Sequence, residues 1–443
     1  MRDIERPGDA PGLLRVVVLG GYGLIGTSVM ARLSDAGFAV TGIGRSGLQA
    51  RRSSVRAEWE IFDIATMSVE GWRISLDGVD AVVNASGALQ GGARDDLKGI
   101  HETALERIGE ALQGTDTLFV QISAAGVSDT ASTEFFRSKA RGESALRALG
   151  QKMVILRPTL VLAPGAYGGT ALLRAAAAIP FVLPRVMPNS TMRCVLIDDL
   201  AQAVVDAAEG RIPRGAEVDV TGAGAESLPD LLQRIRRWLG IPPAWIRLPV
   251  PSLAMRGLGA LGDLAGYLGW RSPLRSTAIH VLRDGITADP NALEHAGGTP
   301  CRDLDAIFQA LPATLQERWF ARAYLLFPLA VLTLSVFWIA SGVLGLIGFA
   351  AAHDILTSRG WPGQQAGLAV VAGAFIDIAL GTLVLWRPKL RKAVLGMIAV
   401  SLAYVVGGSV VAPDLWLDPL GPFVKVLPGM FLALFVLAFS DER

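Results

Sequence analysis

From Leu14 to about Leu162, short unbroken apolar runs alternate with stretches of helical spacing. The runs Arg15–Leu19, Phe38–Ile43, Trp59–Phe62, Ala81–Asn84, Leu118–Ile122 and Met153–Leu156 predict six strands, and Gly23–Ala36 predicts the first helix. Runs that stay apolar at consecutive positions, instead of alternating, belong to strands covered on both faces. Strand and helix in regular alternation predict an α/β fold with a doubly wound parallel sheet. Between Thr159 and about Leu311 the pattern loosens; proline and glycine are frequent, and one amphipathic helix, Ser227–Leu239, stands out. This stretch reads as a smaller lobe followed by a connector.

Beyond about Ala323 the polar positions nearly vanish. Leu325–Phe349, Leu368–Trp386 and Ala393–Val411 approach or exceed the ~20 apolar residues needed to cross a bilayer core. Val424–Ala438 is shorter, contains Pro428 and is the weakest of four candidate spans, which together predict an all-α four-helix transmembrane bundle. Leu253–Trp270 is also apolar but carries Arg256 and Asp263, which suits an interfacial helix better than a span. The expected divisions are a tail over 1–13, a first domain over 14–240, an extension and connector over 241–322, and a membrane domain over 323–443.

Charge sets the expected orientation, because basic loops stay on the cytoplasmic side. Arg387, Lys389, Arg391 and Lys392 lie between the second and third spans, and Arg318 and Arg322 precede the first. The other two loops hold Arg359 against Asp354, Asp414 and Asp418. Both termini and the first domain are therefore expected in the cytoplasm, on a multi-pass protein of the cell inner membrane. Met1 to Gly12 lacks the apolar core of a secretory leader, so none is expected. The 443 residues carry a net charge of only +1, which argues against a nucleic-acid partner. The two cysteines, Cys194 and Cys301, make neither a disulfide framework nor a metal set, and no metal site is expected.

The candidate chemistry begins directly after the first strand. Gly20-Gly21-Tyr22-Gly23-Leu24-Ile25-Gly26 joins that strand to a helix. Glycines at 20, 23 and 26 permit a tight turn and let a pyrophosphate rest on the helix N-terminus, the dinucleotide cradle of a Rossmann-type domain. Tyr22 reads as a structural part of the loop. An acid after the second strand would bind a free ribose hydroxyl, whereas Gly44-Arg45-Ser46 offers only a cation for a 2′-phosphate. Arg45 thus favours NADP, with NAD the alternative, and Asp63-Ile64 is placed to meet the adenine edge.

The Gly-x-x-Gly-x-x-Gly spacing resembles that of the extended and atypical short-chain dehydrogenase/reductases. Asn84-Ala85-Ser86-Gly87 is similar to the segment after that family's fourth strand, and Ser138-Lys139-Ala140-Arg141-Gly142-Glu143 resembles the run that follows its catalytic tyrosine. Ile155-Leu156-Arg157-Pro158 and Ile197-Asp198-Asp199-Leu200-Ala201 are similar to later signatures. The resemblance covers about Leu14 to Leu239 and is strongest for the subgroup that includes the cofactor-holding accessory subunit of respiratory complex I. The last quarter resembles the DoxX-like membrane domain. By resemblance, Ala85, Ser86 and Gly87 border the cofactor, and Lys139 binds the nicotinamide ribose and depresses the pKa of a tyrosine four residues earlier. That position is Phe135, which has no proton to give. Ser123 and Ala124 both stand where the family places a serine or threonine, and Ser123 is the candidate. Tyr167 is a conceivable replacement donor or else a loop aromatic. Asp198 and Asp199 read as helix N-caps.

Two functions fit. One is a membrane-anchored NAD(P)(H)-dependent oxidoreductase acting on a small lipophilic substrate, a carbonyl or a quinone. The other is a non-catalytic NADPH-binding module, structural or redox-sensing, in a membrane complex; Phe135 favours it. Within the second span, Gly373, Asp377 and Gly381 share one helix face, which is expected to pack inside the bundle. Asp377 is either a structural pin or part of a polar ligand or proton path.

Overall fold

The computed structural model describes residues 13–87, 96–270, 273–419 and 421–440, so the expected tail over 1–13 lies outside the described residues except Leu13. The chain divides into two compact units, residues 1–264 with 272–321, and residues 265–271 with 322–443.

The first unit opens with β1 (Arg15–Leu19), α1 (Leu24–Asp35), β2 (Ala39–Gly44), α2 (Gly47–Arg52), β3 (Glu58–Ile61), α3 (Val69–Ser75) and β4 (Ala81–Asn84). It continues through α4 (Ala104–Ala111), β5 (Leu118–Ile122), α5 (Glu134–Ala148) and β6 (Met153–Pro158). Seven strands form one parallel sheet in the order β11-β6-β5-β4-β1-β2-β3, where β11 is Glu217–Val220. Its strand order reverses between β1 and β4, which pair in parallel with Leu19 opposite Asn84. Ligands of such sheets bind at the carboxyl ends of the strands at this switch point.

The unbroken apolar runs follow from the two covered faces. Val16 and Val18 pack with Val29, Met30 and Leu33 of α1. Val17 and Leu19 point the other way, into a core with Trp72, Phe119, Ile108 and Leu146. Successive strand residues alternate faces, so a strand buried on both sides must be apolar throughout.

The smaller lobe consists of short pieces: β7 (Leu160–Leu162), α6 (Gly168–Ala177), β8 (Val182–Arg185), β9 (Thr191–Met192), β10 (Cys194–Leu196), α7 (Ile197–Ala208), β12 (Glu226–Ser227), α8 (Leu228–Trp238) and β13 (Ile246–Pro249). Helices α9 (Ser252–Tyr267), α10 (Ser276–Asp284), α11 (Ala292–His295) and α12 (Leu304–Ala310) follow. Of these, α7 belongs with the sheet, packing on α1 through Leu200 and Val204. The stretch expected as extension and connector contributes Ile241, Leu304, Ile307 and Leu311 to the core built on Leu231, Leu232 and Ile235. Cys194 and Cys301 are free thiols.

The second unit is helical. Among the described residues, three helices are long and apolar enough to cross a membrane: α13 (Leu315–Ile347), α15 (Gly363–Leu383) and the stretch Arg387–Val411, which contains α16 (Leu390–Val411). Helix α14 (Phe349–Thr357) is a separate short element after a break at Gly348. The fourth expected span is the 13-residue helix α17 (Val426–Ala438), about 20 Å of helix against a ~30 Å hydrocarbon core. The four-span expectation thus becomes three spanning-length helices and one shorter apolar helix, with Ala433 and Val436 of α17 sharing a core with Ala393, Val394 and Met397 of α16. Asp377 faces α13, where it accepts a hydrogen bond of 2.8 Å from Ser341 Oγ. Gly381 is the close approach expected of it, since a β-carbon there would lie 2.9 Å from the Ile339 nitrogen. Gly373 is not; its β-carbon position is open, and Gly342 of α13 supplies the second tight contact, against Ala374.

Candidate functional site

The cradle is made of backbone. Gly20 sits at φ +73°, a conformation open to glycine, and a β-carbon there would lie 2.9 Å from Ser86 Cα. One added to Gly26 would overlap the Gly20 carbonyl oxygen. These two glycines let α1 start directly over the end of β1. The N-cap, Gly23, makes no side-chain cap and the first turn holds no acid, so this helix end presents N–H groups and a positive dipole to an anion. A dinucleotide pyrophosphate fits that arrangement. Leu24 and Ile25 form the first turn, and Gly21 is packed against Met30 and Trp59.

Tyr22 ties the glycine loop to the end of β2. Its hydroxyl accepts a 2.9 Å hydrogen bond from the Arg45 backbone N–H, and its ring stacks on Trp59 at 6.2 Å. It thereby holds the exposed Arg45 just beyond the end of β2. Asp63 Oδ1 accepts from Ala65 N at 3.0 Å, which shapes its own turn, and Ile64 is buried. At the end of β4, buried Asn84 donates to Gln121 Oε1 at 2.9 Å and accepts from both the backbone and the hydroxyl of Ser86. Ala85 N–H bonds Leu19 O at 3.1 Å. The Ala85-Ser86-Gly87 turn therefore lies against Gly20.

Lys139 is buried in α5, and its Nζ donates to the Ile122 carbonyl at 3.2 Å. The β-carbon position of Gly87 is 3.9 Å from that Nζ and 3.6 Å from His101 Nε2. Burial pushes the Lys139 amine down from 10.5 to about 8, against an upward pull from Glu143. Phe135, one helical turn earlier, has its ring centroid 5.8 Å from Nζ.

His101 is the residue the sequence reading missed. It stands in a single π-helical turn, Gly99–Thr103, that runs into α4, a distortion common at functional sites. Its Nδ1 lies 2.8 Å from Ser138 Oγ, and its ring meets Phe135 edge-on at 5.8 Å. Ser138 Oγ also donates to the Phe135 carbonyl. Burial, and then the Lys139 charge, push His101 from 6.5 to about 3, so it is neutral near pH 7. A β-carbon on Gly142 would overlap the His101 carbonyl oxygen, which lets α5 and the π turn touch.

With that geometry described, the relatives can be set beside it. Residues 20–178 match the NAD(P)H-binding family and residues 335–434 the DoxX-like family. A ceramide reductase of Caulobacter vibrioides (strain NA1000 / CB15N) is 22% identical over 304 residues, 66% of this chain and 91% of that protein. Among solved structures, a proposed epimerase from Burkholderia cenocepacia J2315 covers 70% of this chain and 98% of its own, at 18% identity and TM-score 0.51. The terminal R domain of the myxalamid PKS-NRPS pathway covers 70% and 90%, at 14% and 0.52. The chain joins a domain that matches the NAD(P)H-binding family to one that matches the DoxX-like family.

Within the NAD(P)H-binding domain the remaining candidates separate. Ser123 Oγ donates to buried Glu143, which also pairs with Arg157 at 3.0 Å, so its proton is committed on the helix side of β5. Tyr167 is half exposed at the start of α6, a helix packed on α8. Asp198 and Asp199 do not cap α7, whose N-cap is Leu196 without a side-chain bond. Asp199 instead accepts the Arg302 N–H at 2.9 Å and pairs with its guanidinium. The cradle, Arg45, the β4 turn, Lys139 and Phe135 come together along the switch point; Tyr167 and the Asp198-Asp199 pair take other parts.

Proposed function

We propose that this protein is a membrane-anchored, NADPH-dependent reductase of a lipophilic carbonyl, in which Lys139 supplies the proton that a tyrosine at position 135 would otherwise give. When bound, the cofactor supplies a hydride; the chain's own residues must hold the nucleotide and deliver one proton to the developing alkoxide oxygen. The glycine cradle and the α1 N-terminus are suited to the pyrophosphate, Asp63 and Ile64 to the adenine, Ser86 and Gly87 to the nicotinamide side, and Lys139 also to the ribose. Arg45, with no acid beside it, supports NADPH over NADH.

One observation carries the reading: a buried amine whose pKa has been brought to about 8 stands beside Phe135 at the end of β5. An acid titrating near working pH is the efficient kind. His101 is unfit for the donor's part because its pKa of about 3 keeps it neutral; it packs on Phe135 and orders α5 through Ser138. Lys139 is unusual as a donor, but it is the group here that is protonated near pH 7 and lies against Gly87.

The substrate class rests on the membrane domain together with the name of the Caulobacter relative. A ketone-bearing, ceramide-like lipid is the first substrate to try, and a quinone the second. The basic residues around the first span and at Arg387–Lys392 support a cytoplasmic nucleotide unit on the cell inner membrane. A second reading, a non-catalytic NADPH holder in a membrane complex, is favoured by Phe135 alone.

The test uses the full chain in lipid nanodiscs loaded with NADPH and offered lipid ketones and quinones. Oxidation of NADPH in one turnover, lost in Lys139→Ala, is expected. Tight binding without oxidation by any acceptor, with turnover appearing in Phe135→Tyr, would establish the second reading instead.

A further inference from the structure

Helix α9 has two unlike faces. Leu253, Leu261 and Leu264, at helical spacing, are 76%, 63% and 59% exposed. The opposite side carries Met255, Arg256, Gly259 and Asp263, which line a cleft of about 620 Å³ closed by Met187, Ile279 and Arg283. Beside α9, the rings of Phe181 and Trp245 lie 4.7 Å apart with their planes tilted by 45°, and Trp245 is 80% exposed. A stripe of leucines next to an exposed tryptophan is a heavy load of uncovered apolar surface for a water-facing lobe.

The far wall of the cleft is tied through α10 to the loop before α5. Ser190 in the lining donates to the Leu282 carbonyl of α10. At the end of that helix Asp284 Oδ2 accepts a 2.6 Å hydrogen bond from Ser132, three residues before Phe135. The cleft, α10 and the start of α5 are therefore one connected wall.

We propose that the leucine face of α9 lies in the interface of an anionic bilayer, so that the cleft behind it opens at the membrane surface and takes a single amphipathic lipid. Charge argues for the occupant: from Trp245 to Asp284 the sequence has five arginines against two aspartates. Apolar insertion plus basic attraction is what holds helices in such an interface. Among the described residues the chain also carries three helices long and apolar enough to cross a membrane. The cleft offers methionine and isoleucine surface for an acyl chain, with Arg256 and Arg283 for polar headgroup oxygens. The lipid's role as substrate rests on the reductase reading; the docking does not.

The experiment uses the full chain in nanodiscs of phosphatidylcholine with phosphatidylglycerol. A nitroxide is placed by Leu261→Cys in a Cys301→Ser background, with Leu329→Cys in the first span and Leu48→Cys on α2 as references. Preferential collision of the Leu261 label with lipid-dissolved oxygen over an aqueous nickel chelate, as at Leu329, is expected. A label at Leu261 that behaves like the one at Leu48, or that reports a second copy by dipolar broadening, would overturn the docking. A Leu261→Asp, Leu264→Asp double variant should turn over a bilayer-embedded ketone about tenfold more slowly, with NADPH binding and reduction of a water-soluble ketone unchanged. Equal losses on both ketones would also overturn it. Absence of all turnover, with the Leu261 label still in lipid, would remove the reductase reading and leave the docking standing.

Discussion

The two halves of the candidate site are built from different materials. On the β1–β2 side nearly everything is backbone: Gly20 at positive φ, Gly26 under the Gly20 carbonyl, and an α1 N-terminus without a cap. On the α4–α5 side everything is side chain: Lys139, Phe135, His101 and Ser138. A cradle of main-chain groups tolerates few substitutions, because each glycine is already in contact with its neighbours. A constellation of side chains can lose one member and pass its task to another. In this chain the first half has the glycine turn and uncapped helix end that suit a dinucleotide, whereas the second has a phenylalanine, without a hydroxyl, at position 135.

The contrast breaks most severely at the glycines. Gly26→Ala should weaken NADPH binding about a hundredfold, or roughly 2.7 kcal/mol, since its methyl group must displace the Gly20 carbonyl. Fluorescence titration of bound NADPH measures this, and a change under threefold would mean that the cradle is not the nucleotide site. Lys139→Ala should do the reverse, cutting single turnover by about 10²–10⁴-fold while NADPH affinity moves by less than about tenfold.

Smaller effects sharpen the boundary between the halves. Arg45→Glu should exchange NADPH for NADH preference by about tenfold, near 1.4 kcal/mol, because the new carboxylate repels a 2′-phosphate and accepts from a free hydroxyl. Competition between the two nucleotides reads it out. Ser123→Ala should lower stability by about 1 kcal/mol, through loss of its bond to Glu143, and leave turnover almost unchanged. A large loss of turnover would return Ser123 to the reaction.

The sequence made the backbone half readable and the side-chain half only partly so. The bounds of β1, β4 and β5 coincide with their apolar runs because both faces of those strands are buried. The glycine spacing was legible for the same reason that it is rigid: only one residue type fits. The lobe was not legible, since β9 and β12 are two residues long and carry no period. His101 was invisible because a π turn has no spacing signature and its partners, Ser138 and Gly142, lie some 40 residues on. Asp199 looked like a cap because local spacing allowed it; its actual partner, Arg302, is 103 residues away. The fourth expected span is shorter in the structure than in the sequence pattern, since the helix of α17 starts only at Val426.

The central claim is that Lys139 gives the proton, and the pH dependence of the single-turnover rate of NADPH oxidation by a lipid ketone tests it most directly. Reduction consumes the ammonium proton, and an amine with pKa about 8 is charged below that pH and neutral above it. The wild-type rate should therefore be level below about pH 8 and fall tenfold per unit above it, while Phe135→Tyr restores a faster rate with a different midpoint. A rate level from pH 6 to 10 on the scale of ordinary amine titration, or a Lys139→Ala variant with the wild-type profile, would contradict the assignment.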